Sequence, residues 1–243
     1  MIALSDEQFQ NNHQILLVRI EKAALSTGRT GKDVTLVAVS KKQPIAALLC
    51  AARNGIKTFG ENYAEEVPPK QAELRDFVGI QWHMIGHIQS RKAKIVADSI
   101  DWTHSIDSLD LAMRLNRALQ DRGRIMPVLL EMNVSSEESK GGWVASDSTH
   151  VESLRADLDA LLSCANLQVR GLMTMPPLLD DPEAVRPYFQ RLAALRDVLS
   201  AKYPAVDWSE LSMGTSADFE VAIQEGATMV RIGQALFGPR PSR

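Results

Sequence analysis

Eight short runs rich in β-branched, aromatic and other apolar residues recur along the chain. They are VTLVAVS (34–40), IKTFGEN (56–62), IQWHMIG (80–86), IDWTHSID (100–107), MPVLLEMNV (126–134), VRGLMTM (169–175), SELSMG (209–214) and MVRIG (229–233). Between them lie stretches with helical spacing of apolar residues, among them Ile45–Asn54, Leu109–Gly123, Val151–Cys164, Pro182–Lys202 and Ala217–Glu225. Strands that alternate with helices are joined by crossovers, and crossovers make a parallel sheet. Eight parallel strands in 243 residues fit a closed (β/α)8 TIM barrel, with a doubly wound open sheet as the alternative. The first strand-to-helix turn, SKKQP, has no glycine-rich dinucleotide fingerprint, which counts against the open sheet. Gly55 and Gly226 stand just before a strand, where a left-handed residue closes the preceding helix. Ahead of the first strand, Ser5 and Gln8 form a capping box, and Phe9, Ile15, Leu16, Ile20 and Leu25 follow at helical spacing. An extra N-terminal helix is therefore expected from Ser5 to Ser26.

No linker or low-complexity segment divides the chain, so residues 1–243 read as a single domain. The net charge of −3, with both signs mixed along the sequence, gives no basic footprint for nucleic acid or an anionic membrane. A small molecule is the natural partner. The two cysteines, Cys50 and Cys164, are too few and too distant to read as a disulfide framework or zinc site and are expected as buried, reduced thiols. The N-terminus lacks a basic and apolar leader pattern, and no run of about 18 apolar residues occurs. A soluble, cytoplasmic protein is expected.

In a (β/α)8 barrel the functional face lies at the C-terminal ends of the strands. The first strand ends there in Ser40, Lys41 and Lys42. Lys41 is in phase with Val37 and Val39, and Lys42 with Leu36, Ala38 and Ser40; both sets are apolar, so parity leaves open which lysine points inward. A lysine directed into an apolar mouth is desolvated, which lowers its pKa from about 10.4 and makes it a nucleophile for Schiff-base formation. The carbonyl is that of a substrate, as in barrel aldolases, or of pyridoxal 5′-phosphate (PLP). PLP also needs an anion site and a partner for its ring nitrogen. The C-terminal third offers both. LSMGTSADF brings Ser212, Gly214, Thr215 and Ser216 to a helix start with Asp218, and MVRIGQALFG ends a strand at Arg231 and Gly233. Barrels place phosphate sites in the loops after strands seven and eight.

The segments AVSKKQP, FGENYAEE, WHMIGHIQSRK, SID, NVSSEESKGG, RGLMTM, LSMGTSADFEVAI and TMVRIGQALFG cover nearly the whole chain from Val34 to Gly238. In that order they resemble the pyridoxal 5′-phosphate homeostasis proteins, the YggS/PROSC family. These are single-domain relatives of the alanine racemase N-terminal barrel, a fold-type III PLP barrel. The resemblance implies that Lys41 carries PLP as a covalent aldimine, with Lys42 a rim neighbour whose charge helps depress its pKa. It sets Asn62 beside the cofactor ring, assigns Ser212, Gly214, Thr215, Ser216 and Gly233 to the phosphate, and gives the pyridine nitrogen to Arg231. A guanidinium cannot accept a proton, so the ring facing it is a weak electron sink. An alanine-racemase-like enzyme also needs a second base from another domain and subunit, for which this chain is expected to leave no room. The implied role is intracellular vitamin B6 homeostasis: holding PLP and delivering it to apo-enzymes, as a monomer and a carrier rather than an enzyme. A PLP enzyme with weak racemase or decarboxylase activity is the alternative, and an aldolase-type enzyme without PLP a third reading. SMGTS departs from the family pattern, which commonly has methionine in place of Thr215; the added hydroxyl offers one more phosphate contact.

His83 and His87 have metal-like spacing, but in a strand four residues at about 3.3 Å each separate them by about 13 Å, so they share no metal. His83 is expected at the barrel mouth near the cofactor. Met84, Met173 and Met175 read as core packing, Glu137 and Glu138 as a solvated loop, and residues 139–142 as a loop over the cofactor.

Overall fold

Helix α1 (Asp6–Leu25) begins where the capping box sets it: the Ser5 hydroxyl accepts from Gln8 N at 3.2 Å, and the Gln8 side chain accepts from Ser5 N at 3.0 Å. The computed structural model describes residues 5–135, 137, 140–145 and 148–239. The strands are β1 (Thr35–Val39), β2 (Thr58–Glu61), β3 (Gln81–Met84), β4 (Trp102–Ile106), β5 (Met126–Asn133), β6 (Trp143–Val144), β7 (Leu167–Met173), β8 (Glu210–Thr215) and β9 (Met229–Ile232). Eight of them, all but β6, pair in parallel around a closed ring: each meets the next, and β9 returns to β1 with Thr35 opposite Met229. The open sheet is excluded. Every one of the eight runs read from the sequence overlaps one of these strands, although β7 begins earlier, at Leu167, and β8 ends later, at Thr215. Two-residue β6 lies outside the ring and pairs only with the end of β5, Met132 opposite Trp143.

The helices after β1 are α2 (Ile45–Arg53), α3 (Val67–Glu73), α4 (Ala93–Ser99), α5 (Leu109–Gln120), α6 (Ser148–Ser153), α7 (Arg155–Leu162), α8 (Arg186–Lys202), α9 (Phe219–Gln224) and, following β9, α10 (Gln234–Phe237). The helix expected over Val151–Cys164 is two, α6 and α7, broken at Leu154. Gly55 and Gly226 adopt φ of +84° and +99° at helix ends, as their positions demand. Among the described residues no helix is long and apolar enough to cross a membrane.

Two apolar compartments follow from strand alternation. Val37, Leu129, Met173 and Met229 fill the barrel interior, flanked by Ile85 and Trp102. Ala38, Phe59, Leu130 and Val230 point the other way, into the larger core beneath the helices with Leu48, Leu115, Phe189 and Phe219. Cys50 and Cys164 are buried and unpaired. At Gly171 the β7 backbone takes φ of +151°, and a Cβ there would stand 1.8 Å from the Glu210 carbonyl oxygen. The β5–β7 register shifts beside it, between Val128 and Leu129, so this position bends the strand where only glycine fits.

Candidate functional site

A cavity of about 520 Å³ opens at the C-terminal ends of the strands. The interior set settles the parity of β1. Val37 faces into the barrel, and Lys41, in phase with it, lines the cavity and is half-buried. Lys42 is exposed, with φ of +59°, the one positive value among the described residues other than glycine. Its amide donates to Glu66 Oε2 at 3.4 Å. The turn is fixed from behind by a buried cation: Lys70 Nζ donates to the Ser40 carbonyl at 3.1 Å, to Glu61 Oε1 at 2.6 Å and to Glu66 Oε2 at 2.9 Å. The Ser40 hydroxyl donates to the same Glu61 oxygen at 2.7 Å. An inward Lys41 thus stands on a clamped loop rather than a free one.

Of the other residues singled out in the sequence, Asn62, Thr215, Ser216, Arg231 and Gly233 line the cavity with Lys41. The turn after β8 is closed by Asp218, whose Oδ1 accepts from Thr215 N at 2.6 Å and from the Thr215 hydroxyl at 3.0 Å. That hydroxyl hydrogen is spent on Asp218, so the extra phosphate donor expected from threonine is not available. Ser216 Oγ accepts from Ala235 N at 3.2 Å and ties the turns after β8 and β9 together.

Three expected cavity residues lie beneath it instead. Gly214 faces the helix layer, where a Cβ would meet that of Ala222 at 2.6 Å. Ser212 is wholly buried, and its hydroxyl is engaged by Arg231 Nη1 at 2.7 Å and by His104 Nδ1 at 2.8 Å. His83 is not at the mouth: it is buried in the barrel, stacked on Trp102 at 5.6 Å and joined to His104 at 2.9 Å. Burial pushes the His83 imidazole down to about 3; burial first, and the charge of Arg231 with it, also holds His104 well below the usual histidine range, so both are neutral. His87 takes the place expected for His83: it lines the cavity, and its Nδ1 meets Asp107 Oδ2 at 2.7 Å. Among the described residues no cluster of His, Cys, Asp and Glu is fit to hold a metal.

Arg231 forms the cavity floor. It is 3% exposed, and besides Ser212 Oγ it donates to the Ser212 carbonyl at 2.8 Å and to the Thr174 carbonyl at 2.9 Å. Desolvation lowers its pKa to about 10, which leaves it charged at neutral pH. Met175 is not core packing as Met84 and Met173 are: it is exposed at the rim, with its sulfur 2.9 Å from Arg231 Nη2.

Glu131 is the cavity residue that motif reading passes over. It is the one carboxylate lining this cavity among the described residues, and burial followed by the charge of Asp107 pushes it up to about 7. Its signal was a lone acid in the apolar run MPVLLEMNV. The loop before β6 folds onto it. A Cβ on Gly142 would come within 2.5 Å of the Glu131 carbonyl oxygen, so only glycine allows that approach. Lys140 holds the same loop to the rim, donating to the Met175 carbonyl at 2.9 Å and pairing with Glu137 at 3.3 Å. Glu138 and Ser139 lie outside the described residues.

Residues 21–241 match the family model described as alanine racemase, N-terminal domain. The chain is 43% identical over 222 residues to the pyridoxal phosphate homeostasis protein of Pseudomonas aeruginosa, covering 91% of each. To the protein of that name from Aquifex aeolicus it is 40% identical over 225 residues, or 93% of this chain and 95% of the relative. The chain belongs to the pyridoxal phosphate homeostasis proteins, within the alanine racemase N-terminal family. Among solved structures, PipY of Synechococcus elongatus without PLP is 36% identical and superposes with a TM-score of 0.79, covering 90% of this chain and 99% of PipY. PipY has also been solved with PLP bound. The alanine racemase of Clostridium difficile, at 15% identity and a TM-score of 0.69 over 96% of this chain and 60% of that one, shares the barrel. For this homeostasis-family chain, then, the fold read from alternating strands and helices is the fold of its relatives.

Proposed function

We propose that this protein binds PLP through a Schiff base on Lys41 and serves intracellular vitamin B6 homeostasis, holding the reactive aldehyde and delivering it to apo-enzymes. The observation that carries this reading is one cavity that brings Lys41 and Arg231 together with the glycine and hydroxyl turns after β8 and β9. PLP asks for those groups: an amine for the aldehyde, backbone and hydroxyl donors for the phosphate, and a partner for the ring nitrogen. The donor set fits. Gly233, in the turn after β9, brings backbone without a side chain to the cavity wall, where an anion can approach. Ser216 and Thr215 flank that turn from β8, and Asn62 lines the same space from β2. When bound, PLP supplies an aldehyde that condenses with a primary amine, releasing water. The protein's part is to present Lys41 on its clamped turn and to hold a charged Arg231, which neither accepts nor yields a proton at neutral pH. That charge disfavours protonation of the ring nitrogen and supports a carrier over a racemase or decarboxylase. Relatives named for PLP homeostasis and the PLP-bound PipY support the same reading.

The test is the absorbance of purified protein incubated with PLP, before and after borohydride reduction, for wild type, Lys41→Ala and Lys42→Ala. A visible band lost only in Lys41→Ala, with borohydride fixing the cofactor to residue 41, is the expected result. A colourless wild type moves the aldolase-type reading to the front, and steady turnover of an amino acid abolished in Lys41→Ala moves the enzyme reading there.

A further inference from the structure

Behind Arg231 a chain of buried polar groups runs down the barrel axis. Arg231 Nη1 meets Ser212 Oγ at 2.7 Å, Ser212 Oγ meets His104 Nδ1 at 2.8 Å, and His104 Nε2 meets His83 Nδ1 at 2.9 Å. His83, His104, Ser212 and Arg231 are each at least 97% buried. His83 Nε2 ends the chain with no hydrogen-bond partner.

The direction of this chain follows from counting protons. A guanidinium only donates, so Ser212 Oγ accepts from Arg231. The single hydroxyl hydrogen then goes to His104 Nδ1, which makes Nδ1 an acceptor and puts the ring proton on Nε2. That proton goes to His83 Nδ1, and the Nε2–H of His83 is the only group left over. Reversed, with His104 Nδ1–H donating to serine, the chain leaves two orphans: the Ser212 hydroxyl hydrogen and the His83 Nε2 lone pair. One buried orphan costs less than two, so the first arrangement prevails. No carboxylate touches the guanidinium among the described residues; Glu131 and Asp218 act on it only through space.

We propose that His104, with His83 behind it, is a positioning residue that draws the Ser212 hydroxyl hydrogen to itself, fixes that oxygen as an acceptor toward Arg231, and thereby aims an unneutralised Arg231 charge at the cavity. The neutral relay orients the guanidinium as a carboxylate would, without cancelling its charge. The consequence for cofactor affinity rests on the PLP reading above; the proton arrangement itself does not.

Nitrogen NMR of the cofactor-free protein decides the arrangement. Both rings should show an unprotonated Nδ1 and a protonated Nε2 throughout neutral pH. A protonated Nδ1 on His104, or either ring charging in that range, overturns the proposal. The second arm measures PLP affinity and Arg231 side-chain hydrogen exchange in His104→Leu, Ser212→Ala and the double variant. Each single variant should bind PLP about tenfold more weakly and exchange faster at Arg231, and the double variant should be no worse than the poorer single. Losses that multiply to about a hundredfold overturn it, because they mean the two residues act separately. If His104→Leu does not fold, His104→Gln is used, with affinity expected between the wild type and Ser212→Ala. Wild-type protein that binds no PLP refutes the proposed function while leaving the tautomer result to judge the relay.

Discussion

Glu131 gives the protein a pH response that stability measurements can isolate. In the folded chain this carboxyl is raised from an ordinary 4.5 to about 7, by burial first and by the charge of Asp107 second. A folded value above the unfolded one means that folding takes up a proton between the two. The neutral acid's contribution is therefore fully present below pH 4.5 and is lost as pH rises through about 7. The gap corresponds to about 3 kcal/mol of lost stability above pH 7. Glu131→Gln keeps the shape of the protonated acid and cannot ionise. Urea unfolding of the cofactor-free wild type and variant across pH 4 to 9 measures the difference. The two should be equally stable near pH 4, and the glutamine variant should be ahead by about 3 kcal/mol at pH 8. Parallel stability curves would refute the reasoning, because they would place the carboxyl in contact with enough water to ionise freely.

Removing the clamp cation by Lys70→Met leaves Glu61 buried without its partner and should cost about 3–5 kcal/mol in urea unfolding; Glu61→Leu in the same chain should restore much of it. Gly171→Ala drives a methyl group into the Glu210 carbonyl, and a melting temperature lower by well over about 4 °C is expected. Ser5→Ala removes the acceptor for Gln8 N and should cost about 1 kcal/mol of unfolding free energy without altering the absorbance of the protein after incubation with PLP.

The barrel was legible because its signal is repetitive. Each strand announces itself by apolar β-rich composition, and α5 and α8 are long enough for helical spacing to show. Helices α3, α4 and α10 were not named because they are 7, 7 and 4 residues long, and α3 opens Val-Pro-Pro, which masks any periodicity. Lys41, Arg231, Gly233 and the TS pair were readable as motif ends at strand termini. Strand parity could place Lys41 and Lys42 only relative to Val37 and Ala38; packing had to say which of those faces the axis. Ser212 illustrates the opposite failure. A serine inside a phosphate-loop motif looks like a ligand, yet its position within β8 turns it to Arg231 and His104. His104 and Lys70 carried no signal beyond being polar residues among apolar ones, and what they do depends on partners 108 and 30 positions away.

Closing the ring by pairing β1 with β9 also orders events in time. Lys41 is made early in synthesis, but the cavity that surrounds it needs Thr215, Ser216, Arg231 and Gly233 from the last two strands. No partial chain can assemble the whole cavity proposed to hold PLP, and the seam that completes it joins the segments most distant in sequence. Such non-local pairing is slow to form. Cofactor capture should therefore report the last step of folding, and the appearance of the bound chromophore during refolding should trail the recovery of helical signal.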